Sequence, residues 1–287
     1  MFRAHESSDA NRAPLRAVVC VFAITSVFFC IELAGGWWTG SLALIADAMH
    51  MAVDLIGLGM TLAAAYFSSR PPDSKRTFGY KRLEVLAALG NGVGLWIATG
   101  ILLREAWARF VFPTPVAAMP MLLIAGAGLL CNMISGAILF ASSRKNINLR
   151  GAFFHVVSDG ISSVGAMAAA FVMMRTRWYQ ADAVAAICIC AGIVFASFWL
   201  LRDSIHILLE GAPAHLDVEE IRRALSGLPG VKETHDLHLW SLTQGEESMS
   251  GHLVVEAACD AQAVLEAGRE LLKRRFQLSH VTLQIEK

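Results

Sequence analysis

Long apolar stretches, separated by short polar segments, recur along the first 209 residues of the chain. Each stretch is long enough to cross a hydrocarbon core of ~30 Å as a helix that rises about 1.5 Å per residue. The pattern predicts a membrane-spanning part at 16–209, preceded by a short polar tail at 1–15. Its six predicted helices lie at about 16–38, 43–68, 83–112, 117–142, 151–174 and 181–203.

The remaining residues, 210–287, contain no apolar stretch of spanning length and are predicted to form a cytoplasmic domain. Asp217 and Asp260 are predicted to cap two helices, and Pro229–Gly230 marks a turn. The predicted strands lie at about 232–242, 249–257 and 279–286. The chain is therefore predicted to be a membrane all-α six-helix bundle followed by a C-terminal α/β domain with the ferredoxin-like order αββαβ.

Composition and charge agree with a chain that is largely dissolved in lipid. Charged residues make up only 17% of the sequence, whereas about 25% is usual in soluble domains. If the N-terminus is cytoplasmic, the inner segments carry twelve Lys and Arg residues against four in the outer ones. This bias predicts that both termini are cytoplasmic. The formal net charge of zero gives no sign of a nucleic-acid partner.

Ionisable residues interrupt the second and fifth predicted spans with the same spacing, His-x-x-x-Asp. The pairs are His50 with Asp54, and His155 with Asp159. Residues four apart share one helix face, and a carboxylate near the bilayer centre costs at least about 2.5–3.5 kcal/mol. The two motifs are therefore expected to face each other around one ion. Two nitrogens and two carboxylate oxygens suit four-coordinate Zn²⁺, although manganese, cobalt, iron and cadmium accept the same ligand types.

Other interpretations of these residues remain open on sequence grounds. Each His–Asp pair could instead be a hydrogen-bonded pair that only fixes helix packing, but the repeated spacing favours a shared ion. Asp47 lies one turn before His50. Three interpretations of it stay open: an acceptor for a ligand histidine, part of a proton path, or a charge near a helix end. Because metal binding requires neutral His and ionised Asp, it competes with protons, and we hypothesise Zn²⁺/H⁺ antiport by alternating access.

Several longer motifs resemble the cation diffusion facilitator family, in particular its zinc-transporting branch. Besides the two His-x-x-x-Asp helices, they are Phe78–Glu84, Leu208–Gly211, Val231–Leu242 and His280–Glu286. The resemblance implies a homodimeric, proton-coupled zinc exporter with metal ligands at His50, Asp54, His155 and Asp159. It also implies a multi-pass protein of a bacterial inner membrane.

The same resemblance implies metal sites in the C-terminal domain, where zinc would act as a regulatory ligand. The matching positions are His235, His252, His280 and Glu286, with His238 and Asp236 as weaker candidates. His280 and Glu286 share one face of the predicted last strand. His235 alternates with leucines, so a buried or interface histidine is the competing interpretation of that residue.

Two other classes of function use similar ligands. An intramembrane metalloenzyme needs an open metal position and a general base, as in His-Glu-x-x-His, and the sequence has no such glutamate. A metal-sensing receptor would need a kinase, nuclease or DNA-binding segment to receive its signal, and no such segment is recognisable. The sequence therefore predicts a transporter without enzymatic activity, whose partners are the bilayer, Zn²⁺, H⁺ and a second copy of the chain.

Overall fold

The computed structural model describes residues 6–68, 70–143 and 147–287. The side chains of 6–18, 61, 65, 141–143, 147–152, 154 and 155 fall outside that description. Six long helices occupy the predicted membrane part, and each contains a segment that is long and apolar enough to cross a membrane. They are α1 Glu6–Thr39, α2 Leu42–Ser68, α3 Arg82–Val111, α4 Ala118–Ser143, α5 Ile147–Thr176 and α6 Gln180–Leu208.

The six predicted spans are confirmed, and most helix ends lie within a few residues of the predicted ones. α1 begins at Glu6, well inside the predicted polar tail, and α6 continues past residue 203 to Leu208. The extension of α1 is mainly polar, and the extension of α6 mixes polar and apolar residues. Extending an existing helix costs far less than nucleating a new one, so a hydrophobicity pattern underestimates helix length.

The first of two compact units consists of the residues up to Gly59 together with Asn91–Phe198. Small side chains fill much of its core, where Ala43, Ala46, Ala166 and Ala170 are fully buried. Small residues let membrane helices approach closely. Large apolar side chains are instead exposed along these helices, and a surface of this kind is suited to lipid. Examples are Ile97, Leu123, Ile161 and Phe195.

The second compact unit consists of Met60–Gly90 and Trp199–Lys287. Its sheet has the order β1-β2-β3, in which β1 and β2 are antiparallel and β2 and β3 are parallel. A parallel pair needs a crossover connection, and α8 provides it. The elements are α7 Val218–Ser226, β1 Val231–Thr243, β2 Glu246–Val255, α8 Ala261–Phe276 and β3 His280–Glu286.

Both helices of this C-terminal domain pack on the sheet and share one apolar core with it. Asp217 caps α7 by accepting from the Glu219 amide, and Asp260 caps α8 by accepting from the Gln262 amide. Ile221 of α7 and Leu272 of α8 are completely buried in the common core. The predicted αββαβ domain and its two caps are confirmed.

Polar contacts within the second unit join the start of α3 to the C-terminal domain. Arg82 pairs with Glu210 at 2.9 Å, and Lys81 pairs with Glu246. The Glu84 carboxylate accepts hydrogen bonds from Ser68 at 2.6 Å and from Thr243 at 3.0 Å. The motif Phe78–Glu84 is therefore anchored mainly by charge-assisted bonds.

Candidate metal centres

Helices α2 and α5 bring three of the four predicted membrane ligands together. The Nε2 atom of His50 lies 3.5 Å from Oδ2 of Asp54 and 3.6 Å from Oδ1 of Asp159. The first contact follows from the four-residue spacing on α2, and the second joins two helices. Asp159 is buried. His155 belongs to α5, but its side chain lies outside the described residues.

The spacing of these atoms matches that of ligands around one small dication. In a tetrahedral site with bonds of ~2.0–2.2 Å, neighbouring ligand atoms are about 3.3–3.6 Å apart. The two N···O distances from His50 are of this size, whereas direct N–H···O hydrogen bonds are about 2.7–3.2 Å long. An ion can therefore sit between the imidazole and the carboxylates with little change in their positions.

Two cavities in the first unit border the ligands of this candidate site. One of about 200 Å³ is lined by Asp54 and Asp159, together with apolar residues that include Val21 and Phe22 of α1. The other, of about 490 Å³, is lined by His50, by residues of α5 and α6, and by Trp178 in the segment between those helices. The carboxylates and the imidazole thus border different cavities.

The helix that carries His50 is fixed at its start by a carboxylate from α6. Asp182 accepts hydrogen bonds from the Ser41 hydroxyl at 2.6 Å, the Leu42 amide at 2.7 Å and the Ala43 amide at 3.2 Å. The Ser41 hydroxyl in turn accepts from the Leu44 amide at 3.2 Å. Free amide groups at a helix start attract negative charge. Asp182 therefore locks the position of α2 about two turns before His50.

A second set of polar contacts supports Asp159 on α5. The Ser163 hydroxyl donates to the Asp159 carbonyl at 3.2 Å and accepts from the Asn132 amide group of α4 at 3.4 Å. These contacts link α4 and α5 at the level of the candidate site. Asn132 therefore acts as a hydrogen-bonding contact between helices.

Two further carboxyl groups of the first unit are buried, and sequence reasoning singled out only one of them. Asp47 of α2 is 2% exposed, and Glu32 of α1 is 1% exposed. Glu32 stands alone among apolar neighbours in the first span. The free-energy cost of placing a carboxylate inside a membrane, which drew attention to Asp54, applies to Glu32 equally. Asp182 was missed for a different reason, because an acidic residue near a helix end is common.

The C-terminal domain contains a compact group of side chains of the types that can bind a metal ion. His235 Nε2 lies 3.1 Å from Glu286 Oε2, and His252 Nδ1 lies 2.8 Å from Glu286 Oε1. His235 and His252 are cross-strand partners on β1 and β2. Across the residues that the structure describes, these three form the one group whose ligand atoms all lie within 4.8 Å of one another. The hydrogen bond from His235 helps to lower the pKa of the Glu286 carboxyl group below its usual value.

A β-bulge brings two further polar residues to the edge of this group. The pairing of β1 with β2 shifts between His235 and His238, and Asp236 has a φ of 49°. Bulges re-aim side chains in this way. Asp236 Oδ1 lies 2.9 Å from His238 Nε2, and its Oδ2 lies 3.6 Å from His252 Nε2. The hydrogen bond from His238 lowers the pKa of Asp236.

The remaining predicted ligand of this domain, His280, lies apart from that group. It stands at the start of β3 and pairs with Ser248, whereas Glu286 pairs with Val254 near the other end of the strand. Its ring contacts Phe78 edge-on, with the ring centroids 5.7 Å apart. Within one chain, His280 is therefore not brought together with His235, His252 and Glu286.

Comparison with known proteins gives consistent matches over the whole described fold. The cation efflux transmembrane domain matches residues 18–209, and the cytoplasmic domain of cation efflux proteins matches residues 213–287. The zinc transporter ZitB of Pectobacterium atrosepticum is 39% identical over 285 residues, which cover 99% of this chain and 89% of that protein. The cation efflux system protein CzcD of an Alcaligenes species is 37% identical over 283 residues, which cover 98% of this chain and 89% of that protein.

A further relative is the cadmium, cobalt and zinc/H⁺–K⁺ antiporter of Bacillus subtilis, which is 37% identical over 289 residues, or 98% and 91% of the two chains. These matches, together with six helices that can cross a membrane, identify a multi-pass membrane transporter and not an enzyme. The chain belongs to the cation efflux family, whose role is the efflux of divalent metal cations.

Proposed function

We propose that the chain is a Zn²⁺/H⁺ antiporter that carries zinc out of the cytoplasm through one site formed by His50, Asp54, His155 and Asp159. The observation that carries the proposal is the position of the His50 imidazole between carboxylates from two membrane helices, at 3.5 and 3.6 Å. The ligand types favour zinc over calcium or magnesium, which prefer oxygen ligands alone. Relatives named as zinc transporters support the same choice.

Proton coupling follows from the chemistry of the proposed ligands. Zinc binds to neutral imidazole and ionised carboxylate, so protons and zinc compete for the same atoms. A site that opens alternately to the two sides of the membrane therefore exchanges zinc for protons. The name of the Bacillus subtilis relative includes H⁺, which supports this mechanism. Alternating access requires two routes to the site, and the two cavities beside it are candidates for them.

We further propose that the protein is a homodimer of a bacterial inner membrane, with both termini in the cytoplasm. The excess of basic residues in the predicted inner segments supports this orientation. The match of residues 213–287 to a cytoplasmic domain supports it independently. Asp47 is proposed to act beside the site, as an acceptor or on the proton path, and not as a metal ligand.

The C-terminal group is proposed to bind a regulatory zinc ion. His235, His252 and Glu286 offer two imidazole nitrogens and a carboxylate, which suits Zn²⁺. Asp236 and His238 lie at its edge, and His280 would join such a site only from another chain. Zinc bound here would link β1, β2 and β3 and thereby stabilise the domain.

The transport proposal is tested by zinc uptake into inside-out vesicles. We expect uptake by the wild type and a loss of at least about tenfold in Asp54→Ala, because a ligand is removed from a site with few ligands. Asp203→Asn changes an exposed carboxylate of α6 and should leave uptake unchanged. Equal uptake by Asp54→Ala and the wild type would reject the proposed site. Absence of uptake by the wild type would reject the function.

A further inference from the structure

A basic pocket of about 590 Å³ lies within the second unit. It is bordered by the link from α2 to α3, by the start of α3 and by strand β1, which contributes His238 and Trp240. Four of the lining side chains carry a positive charge and one carries a negative charge. They are Lys75, Arg76, Lys81 and Arg82, against Glu210. A pocket with this excess of positive charge is suited to an anion.

Two of the four cations already have carboxylate partners. Arg82 pairs with Glu210 at 2.9 Å, and Lys81 pairs with Glu246, which does not line the pocket. The side chains in both pairs are at least a third exposed, and ion pairs at an exposed surface are weak. These pairs fix one wall of the pocket. The binding of an anion therefore falls mainly to the other two cations.

Those two cations, Lys75 and Arg76, are exposed and belong to a compact turn. The Asp73 carboxylate accepts hydrogen bonds from the Lys75 and Arg76 amides, both at 2.7 Å. It also accepts from the Tyr80 hydroxyl at 2.8 Å, and the Arg76 guanidinium lies over the Tyr80 ring. Among the residues that the structure describes, no carboxylate pairs with the Lys75 ammonium group. The turn is thus formed before an anion binds, which reduces the entropy lost on binding.

The position of the pocket along the chain indicates which anion it meets. The link joins two helices that can each cross a membrane, so it lies where both helices leave the bilayer. Phe78 lines the pocket and is exposed. At the end of α2, the Arg70 guanidinium lies over the exposed rings of Tyr66 and Phe67, 5.7 and 4.7 Å from their centroids. Aromatic and basic residues of this kind are typical of the level of the lipid headgroups.

We propose that this pocket binds the phosphate group of an anionic phospholipid of the cytoplasmic leaflet, with Lys75 and Arg76 as its chief contacts. Arginine and lysine are the side chains best suited to phosphate. The bound headgroup ties the link, and with it the start of α3, to the membrane surface. Only the choice of leaflet rests on the proposed orientation. The binding itself depends neither on the transported metal nor on proton exchange.

The test is native mass spectrometry of the purified full-length protein in detergent, titrated with phosphatidylglycerol or with phosphatidylcholine of the same acyl chains. We expect the wild type to bind phosphatidylglycerol at least about fivefold more tightly, because each basic residue near an anionic lipid contributes roughly that factor. The double variant Lys75→Gln/Arg76→Gln should bind phosphatidylglycerol at least about fivefold more weakly than the wild type. Its affinity for phosphatidylcholine should stay unchanged.

The matched control is the double variant Arg175→Gln/Arg177→Gln. It removes the same charge from exposed residues where α5 leads into α6, and Arg175 likewise lies over an aromatic ring. Phosphatidylglycerol should bind to this control as it binds to the wild type. Equal weakening in the two double variants would overturn the proposal, because the effect would then be one of net charge.

Other results would also contradict the proposed lipid site. Equal affinity of the wild type for the two lipids, or wild-type binding by Lys75→Gln/Arg76→Gln, would overturn it. Inorganic phosphate and glycerol 3-phosphate are the soluble competitors, and if either binds as tightly as phosphatidylglycerol, the pocket takes a soluble phosphate and not a lipid. If the double variant does not fold, the exposed single change Lys75→Gln should still weaken binding. A failure of zinc transport would leave these affinities unchanged, so the two proposals fail separately.

Discussion

His50 is the residue that joins the two halves of the membrane site. Its imidazole contacts the carboxylate of its own helix and that of α5 at nearly equal distances. A neutral imidazole between two carboxylates leaves a charge of −2, which one dication balances. The pairing on α2 could be predicted from the spacing of His50 and Asp54, because helix geometry alone fixes it. The contact to Asp159 depends on how two helices pack, which the spacing does not specify.

Glu286 is expected to stabilise the C-terminal domain in a pH-dependent way. Its pKa is lowered, chiefly by the hydrogen bond from His235. The contribution of the carboxylate to the stability of the domain is therefore complete at pH values above the ordinary pKa of glutamate, about 4.3. That contribution is lost as the pH falls through the lower value of the folded protein. We therefore expect Glu286→Gln to melt at a lower temperature than the wild type near pH 6. The difference should shrink as the solution is made strongly acidic.

The melting temperatures are measured on the full chain in detergent without zinc. Glu256→Gln is a suitable control, because Glu256 is an exposed carboxylate that follows β2. It should melt like the wild type throughout. A difference between Glu286→Gln and the wild type that stays constant into the acidic range would contradict the role assigned to the carboxylate.

The C-terminal metal group shows why single residues are hard to place from a sequence. His235 and His252 are opposite each other only because of the register between β1 and β2. The bulge at Asp236 then changes which residues face which side. The alternation of polar and apolar residues along the predicted strand did not predict this bulge. Glu286 could be assigned a face but not a partner.

Among the helices, α2 is the element whose position matters most, and Asp182 holds its start. Removing this carboxylate leaves the Leu42 and Ala43 amides without their acceptor. An unsatisfied buried donor costs about 1–3 kcal/mol. We expect Asp182→Ala to lower the free energy of unfolding by roughly 2–4 kcal/mol. Unfolding can be followed as additional labelling of the buried Cys190 by a thiol-reactive dye, over the background from the exposed Cys20, Cys30 and Cys188.

Two comparisons sharpen that experiment. Asp182→Asn keeps one acceptor oxygen and should be destabilised less than Asp182→Ala. Asp203→Ala removes an exposed carboxylate from the same helix and should unfold like the wild type. If Asp182→Ala is as stable as Asp203→Ala, the proposed cap of α2 contributes nothing.

Close packing of α1 against α4 depends on a glycine. A Cβ atom at Gly128 would lie 2.7 Å from the Phe28 ring and 3.3 Å from the Ser163 hydroxyl. Overpacking of this kind costs about 1–3 kcal/mol, so Gly128→Ala should lower the melting temperature. At Gly100 a Cβ atom meets nothing within 4 Å, so Gly100→Ala should be neutral or slightly stabilising. Equal effects of the two substitutions would show that the close approach is unimportant.

The helices themselves were the most predictable elements. Every span was predicted correctly because length and apolar content are enough to identify a membrane helix. The contacts between helices were not predictable from the same pattern. Asp182 lies far apart in sequence from the residues at the start of α2 that it contacts, and only the packed helices bring it there.

On the scale of the whole molecule, the predicted orientation has a direct test. Alkaline phosphatase fused after Lys287 should be inactive in a bacterial host, because the enzyme matures only outside the cytoplasm. A fusion after Pro115, in the segment between α3 and α4, should be active. Green fluorescent protein at the same two positions should give the opposite pattern. Activity of the phosphatase after Lys287 would contradict the cytoplasmic C-terminus that the charge bias predicts.

The central claim, exchange of zinc for protons at the membrane site, is tested most directly by zinc-driven proton movement in proteoliposomes. External Zn²⁺ should enter with a rise in the internal pH in wild-type vesicles, because protons leave as zinc enters. In Asp159→Asn vesicles the internal pH should change no faster than in empty liposomes. Zinc entry without any change in internal pH, or wild-type behaviour of Asp159→Asn, would contradict the account.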